Sequence, residues 1–167
     1  MSVENAQSQL DRVLSFFSRV EGKASFLFAT NIGMLAIAFT NLTYADLKTW
    51  FIVGPLALSL FCAASAIFHV GSVVKPNLQG GKSSTIYFAS IAQMSDSQYA
   101  SEFMSQTDRE LEEQILKQVH RNSEILKDKF ESVAKSLFWT TISTLPWALY
   151  LIISSAQHSE IAKVAGN

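Results

Sequence analysis

With only one cysteine in 167 residues, the chain can form neither an intrachain disulfide nor a thiolate metal cluster. Cys62 itself lies in a long apolar run, where a small packing residue is the plain reading. The three histidines, His69, His120 and His158, fall on separate segments, so no pair has the spacing of metal ligands. No G-x-S-x-G elbow is present, which leaves nucleophilic catalysis without a signature. Gly80-Gly81-Lys82-Ser83-Ser84 ends like a phosphate-binding P-loop, but Pro76 stands where the first P-loop glycine belongs and an apolar run, not a strand, precedes it. No enzyme class is indicated, and no cofactor. Thirteen basic residues against fourteen acidic ones leave a net charge of −1. No basic field points to a nucleic acid polymer, and an anionic ligand would need local cations.

What the chain does have is three long uncharged apolar stretches, 24–45, 49–74 (broken only by His69) and 136–157. A spanning helix needs ~20 mostly apolar residues to cross a ~30 Å hydrocarbon core, and each stretch is long enough. The mean hydropathy of +0.20 hides them by averaging over a polar remainder. Ala36-Ile37-Ala38 resembles a signal cleavage site, yet the preceding segment is long and carries Glu4, Asp11 and Glu21, so the first stretch is kept as a span. Arg12, Arg19 and Lys23 precede it, and eight further basic residues from Lys75 to Lys135 lie between the second and third stretches. Only Lys48 and Lys163 fall on the other side. The positive-inside bias therefore sets the N-terminus and the central segment in the cytoplasm, in a multi-pass membrane protein.

Five segments follow: a cytoplasmic amphipathic helix over 1–23, a transmembrane hairpin over 24–74, a cytoplasmic sensing segment over 75–135, a third span over 136–157 and a tail over 158–167. The fold class is an all-α membrane protein. In the first segment Ala6, Leu10, Val13, Leu14 and Phe17 recur at helical spacing, as a stripe that packs on protein would. Ser95 with Gln98 signals a short helix from Asp96 to about Ser105. Thr107-Asp108-Arg109-Glu110 has the form of a capping box that opens a longer one. No proline or glycine follows until Pro146, and Leu111, Ile115, Val119, Asn122, Leu126, Lys129, Val133 and Leu137 keep a near-heptad seam. One helix is therefore expected to run from Asp108 into the third span and end near Ser155.

Two clusters have the chemistry to hold a small anion. Lys82, Ser83 and Ser84 offer an ammonium and two hydroxyls to a phosphate from a glycine-rich loop. His120 and Asn122 share one turn of the long helix, and Lys129 lies two turns on toward the same face. Asn122 interrupts the apolar seam, so it either sets helix register or reads a ligand, and its amide has the donor and acceptor that a pyrimidine edge requires. Within the spans, Ala29, Gly33 and Ala36 form one small-residue face and Ser59, Ala63 and Ala66 another. Such faces let helices approach closely, within the chain or between copies. Asn31 is expected to face another helix rather than lipid.

The chain resembles the membrane-spanning effectors of bacterial cyclic-nucleotide antiphage defence, especially those of the Pycsar systems. The likeness is carried by Arg19-Val20-Glu21-Gly22-Lys23-Ala24-Ser25, similar to the family's acidic-x-Lys-Ala-Ser pattern, with Glu21 where Asp is usual. It continues through the loop from Lys75-Pro76 to Ile86-Tyr87-Phe88-Ala89-Ser90-Ile91-Ala92 and the helix from Gln118-Val119-His120-Arg121-Asn122 to Phe130. The resemblance implies that a partner cyclase makes a cyclic pyrimidine mononucleotide, cyclic UMP or cyclic CMP, which the cytoplasmic segment binds, and that the inner membrane is then disrupted to arrest or kill the infected cell. The partners expected are the lipid bilayer, that nucleotide and further copies of the chain in a homo-oligomer. The rival reading is a small non-enzymatic membrane scaffold that recruits a cytoplasmic partner through its amphipathic helices. The charge asymmetry makes a direct prediction: a reporter fused after Asn167 reads periplasmic, and one inserted near Gly80 reads cytoplasmic. Both reporters on one side would remove a span.

Overall fold

The computed structural model describes residues 2–75 and 84–165, with side chains to residue 159. These residues form five α-helices and a 3-10 turn, with no strand among them: α1 Val3–Thr40, the turn Asp46–Lys48, α2 Trp50–Val74, α3 Phe88–Ile91, α4 Asp96–Ser105 and α5 Asp108–Ala165. Three of these helices, α1, α2 and α5, are long and apolar enough to cross a membrane, so the expected all-α membrane class holds. α1 joins the amphipathic segment to the first span without interruption, and α5 extends ten residues beyond the expected end near Ser155.

Local capping chemistry sets the starts of α4 and α5. Ser95 Oγ accepts the Gln98 N–H at 3.3 Å. At α5 the Thr107 N–H and hydroxyl donate to Glu110 Oε2 at 2.8 and 2.9 Å, and the Glu110 N–H donates back to Thr107 Oγ1 at 3.3 Å. Backbone donors that would otherwise be orphaned at the helix start are thereby satisfied. The same bonds from Thr107 hold the Glu110 carboxyl below its ordinary range.

The chain forms two units. One, the polar unit, comprises residues 1–21 and 75–130; the other, the spanning unit, comprises 22–74 and 131–167. In the polar unit, Ala6 and Leu10 of α1 are buried against Ile115 of α5, with Val3, Ile86, Leu111 and Val119 packed around them. Of the expected stripe, Ala6 and Leu10 are buried, Val13 and Phe17 are half-buried and Leu14 is exposed.

The spanning unit obeys a different rule. Lipid is as apolar as a leucine side chain, so burying more leucine between helices gains little. Hydrogen bonds and close packing decide which face turns inward. On α5 the inward positions are Ser136, Thr140, Ser143, Trp147, Tyr150 and Ser154, at alternating steps of four and three. Leu137, expected on the seam, is exposed instead, because Ser136 takes the inward place. Asn31 of α1 meets α5 as expected: its Nδ2 donates to Thr140 Oγ1 and to Leu27 O, both at 2.8 Å. Trp147 Nε1 donates to Met34 O and the Tyr150 hydroxyl to Ala38 O, each at 2.9 Å, while Ser143 donates to Ser59 O of α2 at 3.2 Å. A carbonyl oxygen has two lone pairs, so these helical carbonyls can accept the bonds and keep their own ladder. Of the two small-residue faces, Ser59, Ala63 and Ala66 are buried within the chain, whereas Ala29, Gly33 and Ala36 are exposed.

At one end of this unit lies Asp46, fully buried in the turn between α1 and α2. Its Oδ2 accepts the Thr43 N–H and hydroxyl, both at 2.8 Å, and lies 3.1 Å from His158 Nε2 of α5. Burial works against ionisation, but the Thr43 donors and His158 together hold the carboxyl below its ordinary 3.8. A depressed carboxylate pKa stabilises the fold above the unfolded value, and that contribution is lost as pH falls through the lower folded value. Asp46→Asn should lower the melting temperature of the detergent-solubilised protein at pH 7. The gap to wild type should close below about pH 4. An equal gap at both pH values would show that Asp46 acts by shape and not by charge.

Candidate functional site

The residues with ligand chemistry lie in the polar unit, and α5 supplies half of them, His120, Asn122 and Lys129. Its N-terminal half leaves an open cleft of about 670 Å³ against the first turns of α1, with Ile86, Phe103, Leu111 and Ile115 giving it an apolar floor. Glu4 and Asp11 edge it, and its lining includes no lysine or arginine. An acidic rim over an apolar floor is a poor cradle for a phosphate, whose charge it would repel. A phosphate needs cations from elsewhere in the chain.

Beside Ile86, which lines the cleft, a polar cluster fixes the chain. Ser84 and Thr85 are buried. Gln114 Oε1 accepts from Ser84 Oγ at 3.3 Å, from the Thr85 N–H at 3.1 Å and from Thr85 Oγ1 at 3.1 Å. Gln106 Nε2 donates to Thr85 Oγ1 at 2.8 Å, and Ser84 Oγ accepts the N–H groups of Ile86 and Tyr87 at 3.2 and 3.3 Å. Two glutamine amides on either side of the α5 start thus satisfy a buried segment that has no ladder of its own. Neither Gln106 nor Gln114 stood out in the sequence, where an amide on a polar face looks like any solvated side chain.

The six residues singled out by chemistry have different settings. Lys82 and Ser83 lie outside the described residues. Ser84 is committed to Gln114, and among the described residues it hydrogen-bonds to neither His120 nor Asn122. His120 is exposed, with Nδ1 3.9 Å from Glu124 of the next turn. Asn122 is half-buried on the seam and its amide makes no hydrogen bond among the described residues. Lys129 is mostly covered, at 12% side-chain exposure, and its Nζ lies 2.9 Å from Glu21 Oε1 of α1 and 5.6 Å from the centre of the Phe17 ring. Glu21 ends the first segment of the polar unit, and Lys129 is the last residue but one of its second. The pair therefore ties α1 to α5 just before each helix passes into the spanning unit.

The arrangement, two long helices that each contribute to a polar unit and to a spanning unit, defines a multi-pass helical membrane protein with a polar helical module built from the same helices. A family model described as the Pycsar effector protein domain matches residues 5–154, and the chain belongs to that family. Its role is accordingly that of an effector in antiphage defence, and the family is not a known enzyme family. No curated protein and no solved structure matches the chain.

A double-mutant cycle tests the tie between the helices. Glu21→Gln and Lys129→Met should each lower the melting temperature, with a coupling of about 0.5–1 kcal/mol, the upper range for a pair with one exposed partner. A coupling indistinguishable from zero would mean that the contact holds nothing together.

Proposed function

We propose that this protein is a nucleotide-gated membrane effector: it binds a cyclic pyrimidine mononucleotide, cyclic UMP or cyclic CMP, in its polar unit and responds by disrupting the inner membrane. The match of the Pycsar effector family over residues 5–154 carries this reading. The polar unit faces the cytoplasm, where a partner cyclase delivers the ligand. Lys82 takes the phosphate charge, Ser83 adds a hydrogen bond, Ser84 exchanges its bond to Gln114 for one to the phosphate, and the half-buried Asn122 reads the base edge with its uncommitted amide. His120 is exposed on the same turn and closes over the ligand.

Lys129 has a second part in this reading. Its ammonium is paired with Glu21. An anionic phosphate competes with Glu21 for that ammonium, and ligand binding then loosens α1 from α5 where both leave the polar unit. Differential contact of this kind is what shifts a two-state equilibrium. Copies of the chain associate through the exposed Ala29, Gly33 and Ala36 face, where close approach is sterically open: a Cβ added at Gly33 would meet nothing within 4 Å.

One observation favours the scaffold reading as a rival. The open cleft edged by Glu4 and Asp11 suits a basic, partly apolar protein segment better than a nucleotide. Calorimetric titration of the purified protein with cyclic mono- and dinucleotides separates the two. Cyclic UMP or cyclic CMP should bind. Lys82→Ala should then weaken affinity about tenfold or more through loss of one charge-assisted bond worth ~1.5–3 kcal/mol. Asn122→Leu should abolish binding if the amide reads the base, and should leave affinity intact with a raised melting temperature if it only sets register. No heat from any nucleotide would sink the sensor reading and leave the scaffold.

A further inference from the structure

The inward face of α5 in the spanning unit is mostly polar from Ser136 to Ser154, with Pro146 also buried, although nothing in lipid rewards burying polar groups there unless each finds a partner. Hydroxyls that glue helices account for Thr140, Ser143 and Tyr150, whose bonds to neighbouring helices or to their own preceding turn are complete. They do not account for three buried oxygens with no partner: Ser136 Oγ, Asn31 Oδ1 and Asp46 Oδ1. Ser136 and Asn31 are fully buried, as is Asp46. The first two lie beside Thr140, one turn of α5 apart from it or bonded to it, and Asp46 lies beside Ser154 and His158 at the other end of the seam. Unsatisfied acceptors at both ends of one buried polar stripe are what a water or a cation would ligate.

We propose that the seam between α1 and α5 is a closed pathway for water and monovalent cations, and that opening it is how the effector breaches the membrane. This rests on the effector reading above for its trigger. The chemistry of the stripe is that of an oxygen-lined path: hydroxyls, an amide oxygen and helical carbonyls, with one carboxylate at an end. No lysine or arginine occurs between Lys23 and Lys48 on the α1 side or between Lys135 and Lys163 on α5, and among the described residues buried in the seam the carboxylate is that of Asp46. His158 and the Thr43 donors occupy its Oδ2, which leaves Oδ1 as the free ligand.

Trp147 and Tyr150 close the path. They are the two largest side chains of the stripe, they sit between the unpartnered ends, and each is pinned by one bond to an α1 carbonyl. Tyr150 is fully buried in a core with Ala38, Ile52 and Leu56. A shift of α5 relative to α1 that breaks these two bonds withdraws both plugs and leaves the hydroxyls facing one another across a wetted gap.

The test does not require a ligand. Potassium efflux is measured from liposomes that hold the full-length chain as wild type, as Trp147→Ala/Tyr150→Ala and as Tyr150→Phe, with helicity checked by circular dichroism. The double variant should leak potassium severalfold faster than wild type, with potassium preferred over chloride in bilayer reversal potentials and entrapped carboxyfluorescein retained. Tyr150→Phe keeps the ring and loses only the hydroxyl bond, so it should leak by a smaller factor. If the double variant loses its helicity, Tyr150→Phe alone decides. Adding Asp46→Asn should reduce the preference for potassium over chloride. Efflux at the wild-type level in the folded variants, or release of dye along with potassium, overturns the pathway. Cyclic UMP or cyclic CMP added to wild-type liposomes tests the effector reading separately. A silent wild type beside leaking variants refutes nucleotide activation and keeps the pathway. A wild type that releases dye beside tight variants keeps activation and refutes the pathway.

Discussion

The spanning unit depends on one constraint: a polar side chain inside the hydrocarbon region must find its partner within the protein. Asn31 on Thr140, Trp147 on the Met34 carbonyl and Tyr150 on the Ala38 carbonyl meet it. Because the partners are backbone carbonyls at defined heights on α1, they set the register of α5 as well as its rotation. Apolar packing has no such resolution in lipid, where exposed Phe26, Phe68, Leu145 and Ile152 are as well solvated as buried Leu56.

The same helix obeys the opposite rule at its other end. In the polar unit α5 turns Ile115 inward and keeps Lys117 with Glu113 in solvent, where the lysine's bond and charge hold the Glu113 carboxyl below its ordinary range. In the spanning unit it turns Ser136, Thr140, Ser143 and Ser154 inward and Leu137, Leu145 and Leu149 outward. The buried positions of α5 are of different type in the two units, Ile115 in the polar one and Ser136 and Ser143 in the spanning one. The change of residue type along the helix lets it serve a water-facing module and a membrane module.

Charge is sparse, and its placement matters more than its amount. The cleft of the polar unit is acidic at its rim, Lys129 is already paired with Glu21, and Asp46 is held ionised by Thr43 and His158. Lys129 and Asp46 each therefore carry an internal competitor for a charged ligand. A ligand that binds here must displace an existing contact, and displacement of a contact between helices is a mechanical event as well as a binding event.

The helix starts at Ser95 and Thr107, the three apolar runs, the packing stripe at Ala6 and Leu10 and the inward direction of Asn31 were all legible in the sequence, because each depends on side chains a few residues apart or on the solvent alone. The family was legible for the same reason, from the order of those elements. The seam through Ser136 instead of Leu137 was not. Hydrophobicity marks the buried face only when water is the alternative, and for this stretch the alternative is lipid. The candidate site was legible only as chemistry: the lysine, serine and asparagine types were evident, but not that Gln114 anchors Ser84. Glu21 is 108 residues from Lys129 and Asp46 is 112 from His158. Local periodicity and capping determined the elements by themselves. Which partner each polar group met was decided by tertiary structure, since only packing brings together groups that the chain holds far apart.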